Sequence, residues 1–189
     1  MKLDRQTAWK AVESRLKKER YEHTERVVKT AIELAERNDA DVYRAEFASI
    51  LHDYAKYRDR EEMRRWILKD HRLPKDLLDY HHELWHGPVG ALLVERELGV
   101  NDAAILSAVS CHTTGKKNMS MLDKIVFLAD YIEPGRKFPG VEDVRKAAES
   151  DLNEACLMAS RNTIRFLMSK NQAVYPDTFH AYNDLLTKH

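Results

Sequence analysis

A chain of 189 residues, 43% apolar and 33% charged, has enough apolar content for one buried core and too much for a disordered protein. Lysine plus arginine equals aspartate plus glutamate, 31 against 31, so there is no electrostatic footprint for nucleic acid, and no partner of that kind is expected. No apolar run reaches the length of a membrane span and MKLDRQTAWKAVESRLKKER lacks a signal core, so no membrane partner and a cytoplasmic location are expected.

Helical periodicity recurs along the whole chain, and no alternating strand pattern interrupts it. RQTAWKAVESRLKK puts Trp9, Val12 and Leu16 on one face. TERVVKTAIELAERN does the same with Val27, Ala31 and Leu34 and stops at Asn38. DVYRAEFASILHDYAK follows, then the shorter REEMRRWILKDH and PKDLLDYHHEL. Next come GPVGALLVERELGV, NDAAILSAVSCHT, SMLDKIVFLADYI and a long helical stretch from Val141 to Lys170. PDTFHAYNDLLTKH closes the chain, with Pro176 at a first helical turn. The expectation is an all-α domain of about nine or ten helices, residues 1–189 forming a single unit. Two connections have a functional composition: HTTGKKNMS (112–120), polar with two lysines, and EPGRKFPG (133–140), with breaks on either side of Arg136.

The nine histidines are the unusual feature of the composition. His23 opens the second helix and shares a face with Val27 and Ala31, so it points inward. His52 and Asp53 end the apolar run of the third. Asp130 follows Val126 by four residues on the inner stripe of LDKIVFLADYI. One buried polar residue is ordinarily a satisfied core hydrogen bond. Two histidines and two aspartates on the inner faces of three helices are better explained by a divalent cation, which offsets both carboxylates and binds both imidazoles through nitrogen. Mixed histidine and carboxylate donors suit iron, manganese or zinc better than magnesium or calcium. Four side chains around a six-coordinate ion leave two positions, for water and for substrate.

His86 precedes GPVGALL at a helix start, a place that suits an anion, and His112 ends the stripe of Ile105 and Val109. Either could contact phosphate, donate a proton to a leaving group, or bind a second metal. Lys56, three residues after Asp53, is placed for phosphate, and Thr113, Lys116 and Arg136 occupy the two polar loops. Arg161 and Arg165 share a face of the late helix and fit a solvated face as well as a nucleotide contact. His81 and His82 form an exposed pair, and His71, His180 and His189 have surface surroundings. Cys111 and Cys156 are far apart, fit no metal-ligand spacing, and are expected as reduced core thiols.

The ordered set His23, His52–Asp53, Asp130 resembles the H…HD…D signature of the HD superfamily of metal-dependent phosphohydrolases. RYEHTERVVKTAIELAE, LHDYAK, WHGPVGALL, HTTGKKNMSMLDKIVFLADYIEPGR and the terminal AYN resemble more narrowly the YqeK-like bacterial family of symmetrical diadenosine tetraphosphate hydrolases, over about residues 5 to 183. That resemblance implies a compact HD-domain helical bundle and iron held by His23, His52, Asp53 and Asp130. It implies a dinucleoside polyphosphate cut at its centre into two nucleoside diphosphates, with phosphate and nucleotide contacts from His23, Lys56, His86, His112, Thr113, Asp130 and Arg136. Lys56, His86 and His112 would serve the chemistry, and the protein would be a homodimer. Two other readings use the same residues. One is another HD nucleotide phosphohydrolase, such as a deoxynucleoside monophosphate phosphatase. The other is a nucleotide-binding regulatory module, against which an intact ligand set argues. A helical scaffold would leave four inward ionisable residues unexplained.

Overall fold

In the computed structural model, which describes residues 3–188, ten α-helices and two short 3-10 helices follow one another, with no strand among the described residues. The helices are α1 (Arg5–Glu13), α2 (Lys18–Arg37), α3 (Val42–Leu51), α4 (Arg60–Lys69), α5 (His86–Leu98), α6 (Ala103–Cys111), α7 (Met121–Ile132), α8 (Val141–Ala148), α9 (Leu152–Ser169) and α10 (Pro176–Thr187). Most starts are written in side chains. Asp4, Asp41, Asp59, Asp102 and Asp151 each accept a first-turn N–H of the helix that follows. Ser120 and Asp123 form a reciprocal capping box at α7. Gly99, at φ 70°, ends α5 in the left-handed conformation that glycine adopts without a Cβ penalty.

Two apolar clusters form the core. One joins α1, α3, α4, α5 and α6 around Ile50, Leu51, Ile67 and Leu93. The other joins α2, α7, α8, α9 and α10 around Ala31, Ile125, Leu128 and Cys156. Helices α2 and α7 serve both, because Val28 and Val126 face the first cluster while Val27 and Ile125 face the second. Inward polar groups on α2, α7 and the end of α3 therefore meet at the seam. Cys111 and Cys156 are buried free thiols, and burial pushes the Cys156 thiol up to about 12.

Three segments differ from the sequence reading. Helix α2 begins at Lys18, so His23 lies more than one turn inside it. Lys17 offers no side-chain cap, and the start carries no signal in the sequence. The stretch PKDLLDYHHEL is two 3-10 helices, Lys75–Asp79 and His82–Leu84; the Leu77 carbonyl accepts both the Tyr80 N–H (3.2 Å), which closes the first, and the indole N–H of Trp85 (2.8 Å), which ties it to the start of α5. The run from Val141 to Lys170 is broken between α8 and α9, where Asp151 turns its carboxylate to the N–H groups of Asn153 and Glu154. His71 and His180 are exposed, and the surface reading of His189 falls outside the described residues.

Candidate metal centre

His23, His52, Asp53, His86 and His112 are all buried, and Asp130 is four-fifths so. They arrive from α2, the end of α3, the start of α5, the end of α6 and α7. His52 and His112 occupy the C-cap positions of α3 and α6, where a side chain can leave the helix face and turn toward the seam. The contacts run from one to the next. His86 Nε2 lies 3.1 Å from Asp53 Oδ1 and 3.1 Å from His112 Nε2. His52 Nε2 lies 3.2 Å, and His23 Nε2 3.9 Å, from Asp53 Oδ2. His23 Nε2 is also 3.0 Å from Asp130 Oδ1.

The opposite ring nitrogens decide what these atoms offer. Nδ1 of His52, His86 and His112 meets the backbone carbonyls of Ser49, Glu83 and Val109 at 2.7, 2.5 and 2.8 Å. A carbonyl only accepts, so Nδ1 carries the proton in each ring and a neutral imidazole presents the Nε2 lone pair inward. His23 is oriented alike by a carboxylate, Glu133 Oε1, 3.0 Å from its Nδ1. Lone pairs and carboxylates thus face one another, and the buried Nε2 atoms of His23 and His52 have no hydrogen-bond partner. Such a set calls for positive charge, and its donors fit a divalent cation. His23, His52 and Asp130 form one group close enough for a single ion; His52, Asp53 and His112 form a second, overlapping group.

Titration follows from the same contacts. Burial works against the charged forms of Asp53 and Asp130, yet the His52 and His86 rings for one, and the His23 ring and Arg136 for the other, hold both below the usual carboxylate range. Burial also opposes charge on His52, but Asp53 overrides it and raises the ring. His112 goes the other way, down to about 3, through burial and the neighbouring His86 and His52.

Three supporting residues escaped the sequence reading. Glu133 holds His23 and is itself held by Arg26 Nε (2.6 Å) and the Gly135 N–H (2.6 Å). Arg20 Nη1 lies 3.1 Å from Asp53 Oδ2. Arg20 and Arg26 flank His23 at three residues on either side, a helical spacing that was visible in the sequence; Glu133, 110 residues away in EPGR, gave none.

The remaining candidates lie around this centre. Arg136 bonds the Asp130 carboxylate through Nη2 and its carbonyl through Nε (2.9 Å), so in this structure it holds Asp130 in place. Thr113 Oγ1 is 3.0 Å from His112 Nε2. Lys56 Nζ reaches Glu83 Oε2 at 2.8 Å and lines a cavity together with His86. Lys116 is not at the centre; it bonds Ser107 and lies 3.3 Å from Asp123 Oδ2. His81 and His82 stack on each other at 4.5 Å.

The HD domain family matches residues 20–135, which contain every one of these ligand-type groups. The chain is 52% identical, over 98% of its length and 99% of the relative's, to the symmetrical bis(5'-nucleosyl)-tetraphosphatase of Bacillus subtilis (strain 168). It is 42% identical to a protein of the same name from Staphylococcus aureus (strain NCTC 8325 / PS 47), covering 93% and 91% of the two. A crystal structure from Clostridium acetobutylicum, described as a predicted HD superfamily hydrolase involved in NAD metabolism, superimposes with a TM-score of 0.91 at 36% identity over 98% of both chains.

Proposed function

The chain belongs to the HD domain family, and on that premise we propose that it is a metal-dependent hydrolase that cuts dinucleoside tetraphosphates, diadenosine tetraphosphate foremost, symmetrically into two ADP. One observation carries the reading. Two carboxylates and four Nε2 lone pairs converge at one seam, in a chain that matches relatives named for this reaction over nearly its whole length.

We assign His23, His52, Asp53 and Asp130 to the cation, with iron the first choice and manganese or zinc also suited to the donors. A bound divalent ion supplies Lewis acidity toward a phosphate oxygen and lowers the pKa of a coordinated water. The chain's own residues do the rest. Glu133 and the three backbone carbonyls fix each ring with Nε2 inward. Arg20 and Arg136 hold the two carboxylates in place. His86 and His112, 3.1 Å apart, stabilise the charge on the transferred group or one of them protonates the departing diphosphate, while Thr113 steadies His112. Lys56 neutralises phosphate at the His86 side. A diphosphate is already a good leaving group, so positioning and electrostatic stabilisation dominate the rate.

We read residues 1–189 as a single HD domain acting as a homodimer in the cytoplasm. Exposed Phe166, Met168, Phe179 and Leu186 on α9 and α10 offer a second copy apolar surface to cover. No described helix is long and apolar enough to cross a membrane, and both cysteines are free. The deciding experiment is anaerobic reconstitution with iron, manganese, zinc or magnesium, followed by chromatography of the products of diadenosine tetraphosphate. ADP alone is expected; ATP plus AMP, or free phosphate, overturns the reading. Metal analysis of the same samples decides the ligand assignment: one ion per chain keeps His86 and His112 for phosphate, and two move them to the metal.

A further inference from the structure

A substrate cut at its midpoint sends one half to each side of the metal centre. The centre within one chain has no two-fold axis, so identical halves must meet different residues. The contacts give it two ends. They run from His86 to Asp53 (3.1 Å), from Asp53 to His23 (3.9 Å), from His23 to Asp130 (3.0 Å), and from Asp130 to Arg136. His86 and Arg136 are the termini, and beside His86 a cavity of about 250 Å³ opens, bounded by Lys56, Tyr57, Arg60, His82 and Glu83.

Nothing so far has used Tyr57, Arg60 or His82, and their chemistry is consistent. His82 is a flat ring held in place, stacked on His81 at 4.5 Å and 30° and edge-on to Trp85. Tyr57 is half exposed, with the Lys17 ammonium 4.9 Å from its ring centre. Arg60 makes no ion pair among the described residues; its guanidinium rests 5.6 Å from the Trp85 ring. Lys56, nearest the centre, is engaged among the described residues only by Glu83, whose side chain is more than half exposed and can yield to a phosphate. Flat rings with an open face recognise a base, and a cation without a partner recognises phosphate.

Resting on the function proposed above, we infer that this cavity is the subsite for one nucleoside diphosphate half of the substrate. Lys56 takes the phosphate next to the centre, Arg60 the outer phosphate, and His82 with Tyr57 the base. The other half leaves past Arg136. The test compares metal-loaded wild type with the double variant Arg60→Ala/His82→Ala in two ways. Calorimetric titration with ADP should fall from two equivalents per chain to one, with metal content unchanged. The KM for diadenosine tetraphosphate should rise about tenfold, the loss of one base stack and one phosphate contact, with the effect in KM rather than kcat. Adenosine 5'-tetraphosphate has one nucleoside and can place it at the Arg136 end, so its KM should move less than about threefold. Unchanged ADP stoichiometry and KM in the variant overturn the subsite, as does an equal rise in KM for both tetraphosphates. A wild type that yields no ADP from diadenosine tetraphosphate defeats the function instead, and the ADP titration still judges the cavity.

Discussion

A histidine can serve a metal only as well as the group that holds its other nitrogen allows, and His23, proposed as a ligand, depends on Glu133 for this. His52, His86 and His112 lean on backbone carbonyls that no side-chain change can remove. Glu133 is the one support a mutation can reach. Glu133→Gln keeps the size and loses the charge that pairs with Arg26 and polarises His23. We expect metal affinity to fall about 10- to 100-fold, read by competition with a chromophoric chelator, while the helical circular dichroism stays the same. Unaltered affinity would mean that Glu133 only ties the 133–136 loop to α2. His112→Ala tests the other end of the centre. With His86 and the four assigned ligands intact, metal content should hold and turnover should fall about 100-fold. Loss of metal instead would place His112 among the ligands.

At the level of elements, close packing sets the distance between His86 and His112. A Cβ added at Gly87 would lie 2.6 Å from the Ser110 carbonyl oxygen, so α5 and α6 cross where only glycine fits. Gly87 follows His86, and Ser110 lies two residues before His112. Gly87→Ala should therefore cost about 1–3 kcal/mol in thermal unfolding and lower activity by separating the 3.1 Å His86–His112 pair. A second device pins the end of α4 to α5. Asp70 accepts from the Arg72 backbone and guanidinium and from Arg96 Nη2 at 2.8 Å, and these bonds, with Arg72 foremost, hold its carboxyl well below the usual range. A depressed folded-state pKa gives stability that is present above about pH 4, the unfolded value, and lost on acidification below it. Asp70→Asn should lower stability by about 1–2 kcal/mol at pH 7, and the gap to wild type in melting scans should close as the pH drops toward 3. Legibility in the sequence followed the same physics. Stripes such as Val27–Ala31–Leu34 and Ile105–Val109–His112 showed which side of each helix goes inward, and so which histidines meet. What stayed hidden was set by distant partners. The 3-10 turns before α5 are tied down by Trp85, whose indole N–H reaches a carbonyl eight residues back, and Glu133 matters because of a ring on α2.

For the whole molecule, the centre lies at the seam between the two apolar clusters, drawing its groups from α3, α5 and α6 of the first cluster and from α2 and α7, which serve both. Folding therefore brings together carboxylates and lone pairs that repel or stand unpartnered until positive charge is supplied. An ion that binds only this arrangement stabilises the folded chain by RT ln(1 + [L]/Kd), about 2.7 kcal/mol at a hundred times Kd. For a chain of this size that corresponds to a melting temperature higher by about 5–10 °C. Scanning calorimetry of metal-loaded and chelator-stripped protein should show that difference. Asp53 faces His86 and His52 at 3.1 and 3.2 Å and His23 and His112 at 3.9 Å, so Asp53→Ala should erase the metal-dependent shift and turnover together. The stripped variant itself should be less stable than stripped wild type by no more than about 1–2 kcal/mol, because burial already opposes the charge of the carboxylate it removes. If Asp53→Ala kept the full metal-dependent shift, the cation would be stabilising the chain from somewhere other than this seam.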